Sequence, residues 1–233
     1  MMQSTDERRV SAASVISSTG PPFPTTEVEA TFWRRGVRLV AGVDEVGRGA
    51  LAGPVVAAAC ILPVGLLEFP DVRDSKALSA QQRERLRGEI FEVATAIGVG
   101  AASRREIDRL NIRRASVLAM QRALSHLPSW DWALYDGLPA PELDPERTTA
   151  IVHGDACSTS IACASIIAKV VRDGLMRKLD RRHPAYGWAR NAGYGTAGHK
   201  AALLAQGPCC HHRRSFAPVR QLVLEDPSEM GEA

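Results

Sequence analysis

The chain has 233 residues, 45% of them apolar and 24% charged, with a net charge of +3. These values exclude collagen-like, coiled-coil and wholly disordered chains, and they leave room for one large domain with extensions rather than two full-sized domains. No apolar run approaches the roughly 20 residues that cross a bilayer, and the opening MMQSTDERRV is no signal peptide, so a cytoplasmic protein without membrane contact is expected. Residues 1–33, rich in Ser, Thr, Pro and Glu and containing PPFP, read as a flexible extension, because that stretch suits neither a helix nor a central strand. Order is expected from residue 34, with strands over 37–43 and 55–62, the second bounded by Gly53-Pro54 and Pro63. Ser79 and Gln82 resemble a capping box that opens a helix to about residue 95. A strand over 96–102 and helical spacing over 103–127, broken near Asn111, come next. Two short strands, 132–137 and 150–155, each end in Asp beside Gly. Residues 158–183 read as one long helix stopped by Pro184. Thr196 caps the last expected helix, which ends at Gly207, and the acidic residues from Glu225 to the C-terminus read as a disordered tail. The pattern is α/β.

Charge is unevenly spread. Residues 150–220 carry eleven Lys or Arg against three acids, a surface on which a polyanion can dock, although a basic solvated helix face is an equally good reading.

The chemistry concentrates in GVDEVGRGALAGPV, residues 42–55. Asp44 and Glu45 follow an apolar strand, so their carboxylates are expected at a strand end, where α/β sites lie. Gly47, Gly49 and Gly53 lack dinucleotide-fold spacing, and no Gly-Lys-Ser/Thr of a P-loop follows. What remains is a turn around Arg48 whose backbone N–H groups can approach a phosphate or sugar. Asp136 and Asp155 also close expected strands. Each Asp-Gly alone reads as turn chemistry, but four converging carboxylates require Mg²⁺ or Mn²⁺ to offset their repulsion, and oxygen-only ligation disfavours zinc.

The segments AGVDEVGRGALAGPVVAAACIL, DSKALS, REIDRLNI, LYDG, HGDACSTSIACASIIAKVVRD, GYGTAGH and HRRSFAPV, spanning residues 41–219 in order, resemble the successive motifs of ribonuclease HII, the type 2 ribonuclease H. The resemblance implies a ribonuclease H-like mixed sheet flanked by helices, with a helical C-terminal extension inside a catalytic domain of residues 34–224. It also implies metal-dependent cleavage of RNA in RNA–DNA hybrids, including single ribonucleotides in duplex DNA; separately, a monomer is expected. The family's acidic quartet falls on Asp44, Glu45, Asp136 and Asp155, its ribose-sensing turn on Gly47, Arg48 and Gly49, and its tyrosine on Tyr194. Ala192 stands where the family commonly has Lys, and Ala162 replaces a frequent serine. Two cations about 4 Å apart would activate water and stabilise the leaving oxygen, giving 3′-hydroxyl and 5′-phosphate ends. A pocket must then read the 2′-OH, the one group that distinguishes RNA here.

Weaker expectations attach to Ser75 and Lys76 as phosphate contacts, and to Arg213 and Arg214 as contacts to the duplex backbone. Lys169 and Asp173 read as an intrahelical ion pair. Cys209-Cys210-His211-His212 is not expected to bind zinc, since four consecutive residues rarely give tetrahedral geometry. A resolvase-like nuclease or a non-catalytic hybrid-binding module remain the alternatives. The first has no need of the 2′-OH-reading turn, and the second no need of four carboxylates.

Overall fold

The computed structural model describes residues 23–225 apart from 68, 70, 73, 74, 76 and 77. In chain order its elements are α1 (Glu27–Trp33), β1 (Val40–Val46), β2 (Val55–Ile61), α2 (Ala80–Val93), β3 (Ala96–Ala102), α3 (Arg104–Leu110), α4 (Ile112–Ser125), β4 (Trp132–Asp136), β5 (Thr148–Ile151), α5 (Gly154–Cys157), α6 (Thr159–Asp180), α7 (Trp188–Asn191), α8 (Ala197–Gln206) and α9 (Ala217–Glu225), with a 3-10 turn at Pro184–Tyr186. The boundaries follow local chemistry. Ser79 with Gln82 and Ser103 with Glu106 form reciprocal capping boxes at α2 and α3. Asn111, at φ 70, separates α3 from α4 and caps the latter by accepting from Arg114 N–H, which is the break expected near that residue. Ser158 and Thr196 cap α6 and α8.

The five strands form one mixed sheet in the order β3-β2-β1-β4-β5. β1 pairs antiparallel with β2 and parallel with β4, which in turn pairs parallel with β5. Side chains alternate across the pleat. On β2, Val55, Ala57, Ala59 and Ile61 join α4 residues such as Val117 and Met120 in one core, while Ala58 and Cys60 join Leu86 of α2 and Ile166 of α6 in another. Both faces of β2 are therefore dry, which explains its uninterrupted apolar run. On β1, Ala41 and Val43 face the α4 layer, so Gly42 and Asp44 face α6. Gly42 is required there: a Cβ would sit 2.2 Å from the Ser160 backbone carbon, so a side chain at this position would push the start of α6 off the sheet. A third core of Leu51, Met176, Tyr186, Trp188, Leu203 and Val219 joins the C-terminal helices to the turn after β1.

Four expectations are corrected. Order begins before residue 34, because α1 docks Phe32 on Trp132, with ring centroids 5.4 Å apart, and buries Glu29 completely. Glu29 Oε1 accepts from Ser158 Oγ, Ser160 N–H and Ser160 Oγ at 2.6–2.8 Å, so the polar composition that suggested a loose extension includes a buried cap partner. Residues 1–22 and 226–233, where the remainder of the extension and the acidic tail were expected, lie outside the described residues. β1 runs to Val46, so the acidic pair lies within the strand rather than after it. β5 ends at Ile151, and Asp155 sits on the short α5 instead of a strand. Finally, α8 is not the last helix, since α9 follows it. Among the described residues no helix is long and apolar enough to cross a membrane.

Candidate active site

The register that pairs Val43 with Tyr135 sets Asp44 and Asp136 level on adjacent parallel strands. Asp155 arrives by another route. After β5, His153 turns the chain at φ 57, and Asp155 occupies the first turn of α5. Gly154 N–H donates to Asp136 Oδ1 at 2.7 Å, which ties α5 to the end of β4. Asp44, Glu45, Asp136 and Asp155 thus border one open cleft of about 820 Å³, together with Gly47, Arg48, Gly49, Ser75 and Tyr194. Three segments far apart in the chain supply the carboxylates.

The electrostatics of this cluster are unfavourable. Burial first, then the charges of Glu45, Asp136 and Asp155, raise the Asp44 carboxyl well above the usual carboxylate range, against a hydrogen bond from Ser165. Burial also raises Glu45, opposed chiefly by Arg48, whose Nη1 lies 3.0 Å from Glu45 Oε1. Glu45 Oε2 is buried without a hydrogen-bond partner. Grouped carboxylates with an unused buried acceptor fit a hard divalent cation, which would convert their repulsion into attraction.

The glycine turn is built to approach a ligand closely. Gly47 has φ +95, and a Cβ there would lie 2.0 Å from Arg172 Nε, so both conformation and space demand glycine. Arg172, fully buried on α6, donates to the carbonyls of Pro54, Ala192 and Ala52 at 2.9–3.3 Å. Leu51 N–H donates to Gly193 O at 2.8 Å, and Ala50 bridges Tyr194, so the turn and the tyrosine are held as one unit. Ala192 takes φ 47 and supplies one of those carbonyls.

The other expected contacts divide. Ser75 lines the cleft, but its hydroxyl is buried 2.9 Å from Ser165 Oγ. Lys76 lies outside the described residues. Arg213 is corrected: it is fully buried, donating to Gly53 O at 3.0 Å and Arg48 O at 2.8 Å, so it braces the turn from within and is inaccessible to a duplex. Burial, with Arg172 nearby, pulls its guanidinium down to about 9. Arg214 is exposed, and its backbone N–H donates to Asp108 Oδ2 at 3.2 Å. Lys169 and Asp173 do pair, at 2.8 Å, and Lys169 borders the cleft. Arg172 and Ser165 escaped the sequence reading as site residues. Arg172 could have been found, because with Ala168 and Met176 it continues a buried stripe at i, i+4 spacing; Ser165 carries no comparable signal.

A family model described as Ribonuclease HII matches residues 41–219. A ribonuclease HII of Synechococcus sp. (strain JA-3-3Ab) is 55% identical over 201 residues, covering 85% of this chain and 90% of the relative. The chain belongs to the ribonuclease HII family. A ribonuclease HII of Thermosynechococcus vestitus is 56% identical over 188 residues, 81% of this chain and 88% of that one. Among solved structures, the ribonuclease H2 from Pyrococcus horikoshii OT3 superposes with a TM-score of 0.64 at 26% identity, over 78% of this chain and 96% of its own. The Bst ribonuclease HIII solved in complex with Mn²⁺ shares the fold, with a TM-score of 0.58 at 18% identity over 81% and 70% of the two chains. The chain is accordingly a ribonuclease H, and the acidic cleft lies within the span that the ribonuclease HII model matches.

Proposed function

We propose that this ribonuclease H holds Mg²⁺ or Mn²⁺ on Asp44, Glu45, Asp136 and Asp155 and cleaves RNA–DNA hybrids and single ribonucleotides embedded in duplex DNA, leaving 3′-hydroxyl and 5′-phosphate ends. The observation that carries the reading is that the carboxylate cluster shares its cleft with the Gly47–Gly49 turn and Tyr194. Bound in pairs, such ions supply activation of water and charge stabilisation at the leaving oxygen. Asp44, which feels the charges of the other three carboxylates, would hold a cation together with them, and Glu45 would give up its pairing with Arg48 to do so. The backbone of Gly47, Arg48 and Gly49 and the hydroxyl of Tyr194 read the ribose 2′-OH, the only feature that separates RNA from DNA at one nucleotide. Arg214 and Lys76 contact the phosphate backbone, while Ser75 supports the cleft wall through Ser165. Five free cysteines suit a reducing, cytoplasmic compartment.

The test is incubation of a labelled DNA duplex containing one ribonucleotide, with and without Mg²⁺. One cut at that nucleotide, abolished by EDTA, is expected; equal cutting of an all-DNA duplex, or cutting without metal, would overturn the reading. Tyr194→Phe removes one hydrogen bond, roughly 0.5–1.5 kcal/mol, and should slow cleavage at a lone ribonucleotide modestly. Tyr194→Ala should slow it far more, with less effect on long hybrids. Equal losses on both substrates that track a lower melting temperature would assign Tyr194 to packing alone.

A further inference from the structure

Away from the carboxylate cleft, His183, Cys210 and His211 bring one imidazole nitrogen each and a thiol to within 4.8 Å of one another. We propose that these three side chains form a second metal site, of the borderline-soft class that takes Zn²⁺, which joins the end of α6 to the turn at residues 209–213. The reasons for rejecting zinc on the sequence apply to Cys209-Cys210-His211-His212 as a run, and the structure breaks that run up. His212 is engaged elsewhere, accepting from Cys209 N–H at 3.0 Å on Nδ1 and lying 3.1 Å from His199 on Nε2. Cys209 Sγ faces inward and accepts from His211 N–H at 3.5 Å. Only Cys210 and His211 are left, and His183 comes to them from 27 positions earlier in the chain.

Both histidines stand on fixed backbone. His183 N–H donates to Leu179 O and Asp180 O at 3.1 Å, and its ring packs 5.6 Å from Trp188 and 5.2 Å, edge on, from His211. His211 O accepts from Gly53 N–H at 2.9 Å. Cys210 is exposed, so its thiol is open to an ion arriving from solvent. Zinc bonds of about 2.0–2.3 Å place tetrahedral donors about 3.5 Å apart, so closure by about 1 Å completes three sites and leaves the fourth to water. Two nitrogens and a sulfur select zinc or cobalt over Mg²⁺. Arg104 and Arg182 also face His211 and oppose a dication, and the thiolate charge offsets part of that cost. The bound ion would brace the turn that supports Gly53 and, beyond it, the glycine turn of the cleft.

Metal-stripped, reduced full-length protein titrated with Co²⁺ tests this independently of catalysis, because oxygen ligands give no thiolate-to-cobalt charge-transfer band. One equivalent should produce that band, with tetrahedral visible absorption. Cys210→Ser should abolish it, and His183→Ala should weaken binding at least tenfold. Cys209→Ser and Asp44→Asn should retain it, and Zn²⁺ should displace the cobalt and raise the melting temperature. Absence of the band in the native chain overturns the proposal. So does a band that survives Cys210→Ser, one indifferent to His183→Ala, or one lost in Cys209→Ser.

Discussion

Asp44 carries the clearest conflict between folding and function. Its carboxyl is buried among three others and has a raised pKa. Between the ordinary carboxylate value and that higher one, the folded chain keeps protons that the unfolded chain has released, so stability falls as pH rises through the window. Glu45 adds in the same direction. Divalent cations should remove this penalty. The gap between melting temperatures with and without Mg²⁺ is therefore expected to widen as pH rises from 4 to 8. Asp44→Asn should melt a few degrees higher than the native chain without metal, about 2–4 °C per kcal/mol for a domain of this size. It should also lose most of the Mg²⁺ response and nearly all cleavage, with hybrid binding retained. An Asp44→Asn enzyme that still cleaves with Mg²⁺ would show that the carboxylates serve another purpose.

Two adjacent arginines separate bracing from binding. Arg213 is buried against the carbonyls of Gly53 and Arg48, whereas Arg214 is exposed. Truncating the first leaves buried carbonyls unpaired and a void beneath the glycine turn, a loss of roughly 3 kcal/mol or more. Arg213→Ala should thus lower the melting temperature by several degrees and impair cutting at single ribonucleotides. Arg214→Ala should reduce the salt dependence of hybrid binding by about one unit of slope. An unchanged slope would remove Arg214 from the interface. At the other end of the sheet, Glu29 links α1 to the start of α6 through three hydrogen bonds. Glu29→Ala strands the Ser158 and Ser160 donors and should cost roughly 2–3 kcal/mol, read as a lower melting temperature; a loss below experimental error would make α1 an appendage.

The C-terminal segments around α7, α8 and the turn at residues 209–213 are tied to one another by a buried polar relay. Cys209 N–H donates to His212 Nδ1, so His212 carries its proton on Nε2 and donates to His199 Nε2, which also accepts from Trp188 Nε1 at 3.1 Å. His199 Nδ1 then donates to Tyr194 O at 3.0 Å, so the relay ends on the backbone of the candidate ribose-reading residue. It requires both imidazoles to be neutral. Burial, with His199 second, lowers His212 to about 4. The unfolded chain binds the proton first, so this contribution is complete above about pH 6.5 and is lost as pH falls towards 4. With Mg²⁺ present, the stability advantage of the native chain over His212→Asn should therefore be lost on acidification through that range. Native and variant curves that remain parallel from pH 6.5 to 4.5 would refute the relay.

Elements whose cause is local were legible in the sequence. The capping boxes at Ser79 and Ser103, the break at Asn111, the dry run of β2 and the stop at Pro184 each depend on residues within a turn of one another, and the motif order carried the family. α1 was hidden because Glu29 and Phe32 look solvent-facing until Ser160 and Trp132 come to meet them. The sequence reads Asp155 onto a strand because a positive φ at His153, not a change in hydropathy, separates β5 from α5. The four acids could be named from their motifs, but their meeting depends on the parallel register of β1 and β4 and on the hydrogen bond from Gly154 to Asp136. Charge was the least reliable guide. Arg172 and Arg213 count as basic surface in composition, yet both lie in the interior holding carbonyls, because the glycine turn leaves backbone oxygens that no secondary structure satisfies. Burial and long-range pairing decide between a cation that binds and one that braces, and neither is encoded within a few residues of the cation itself.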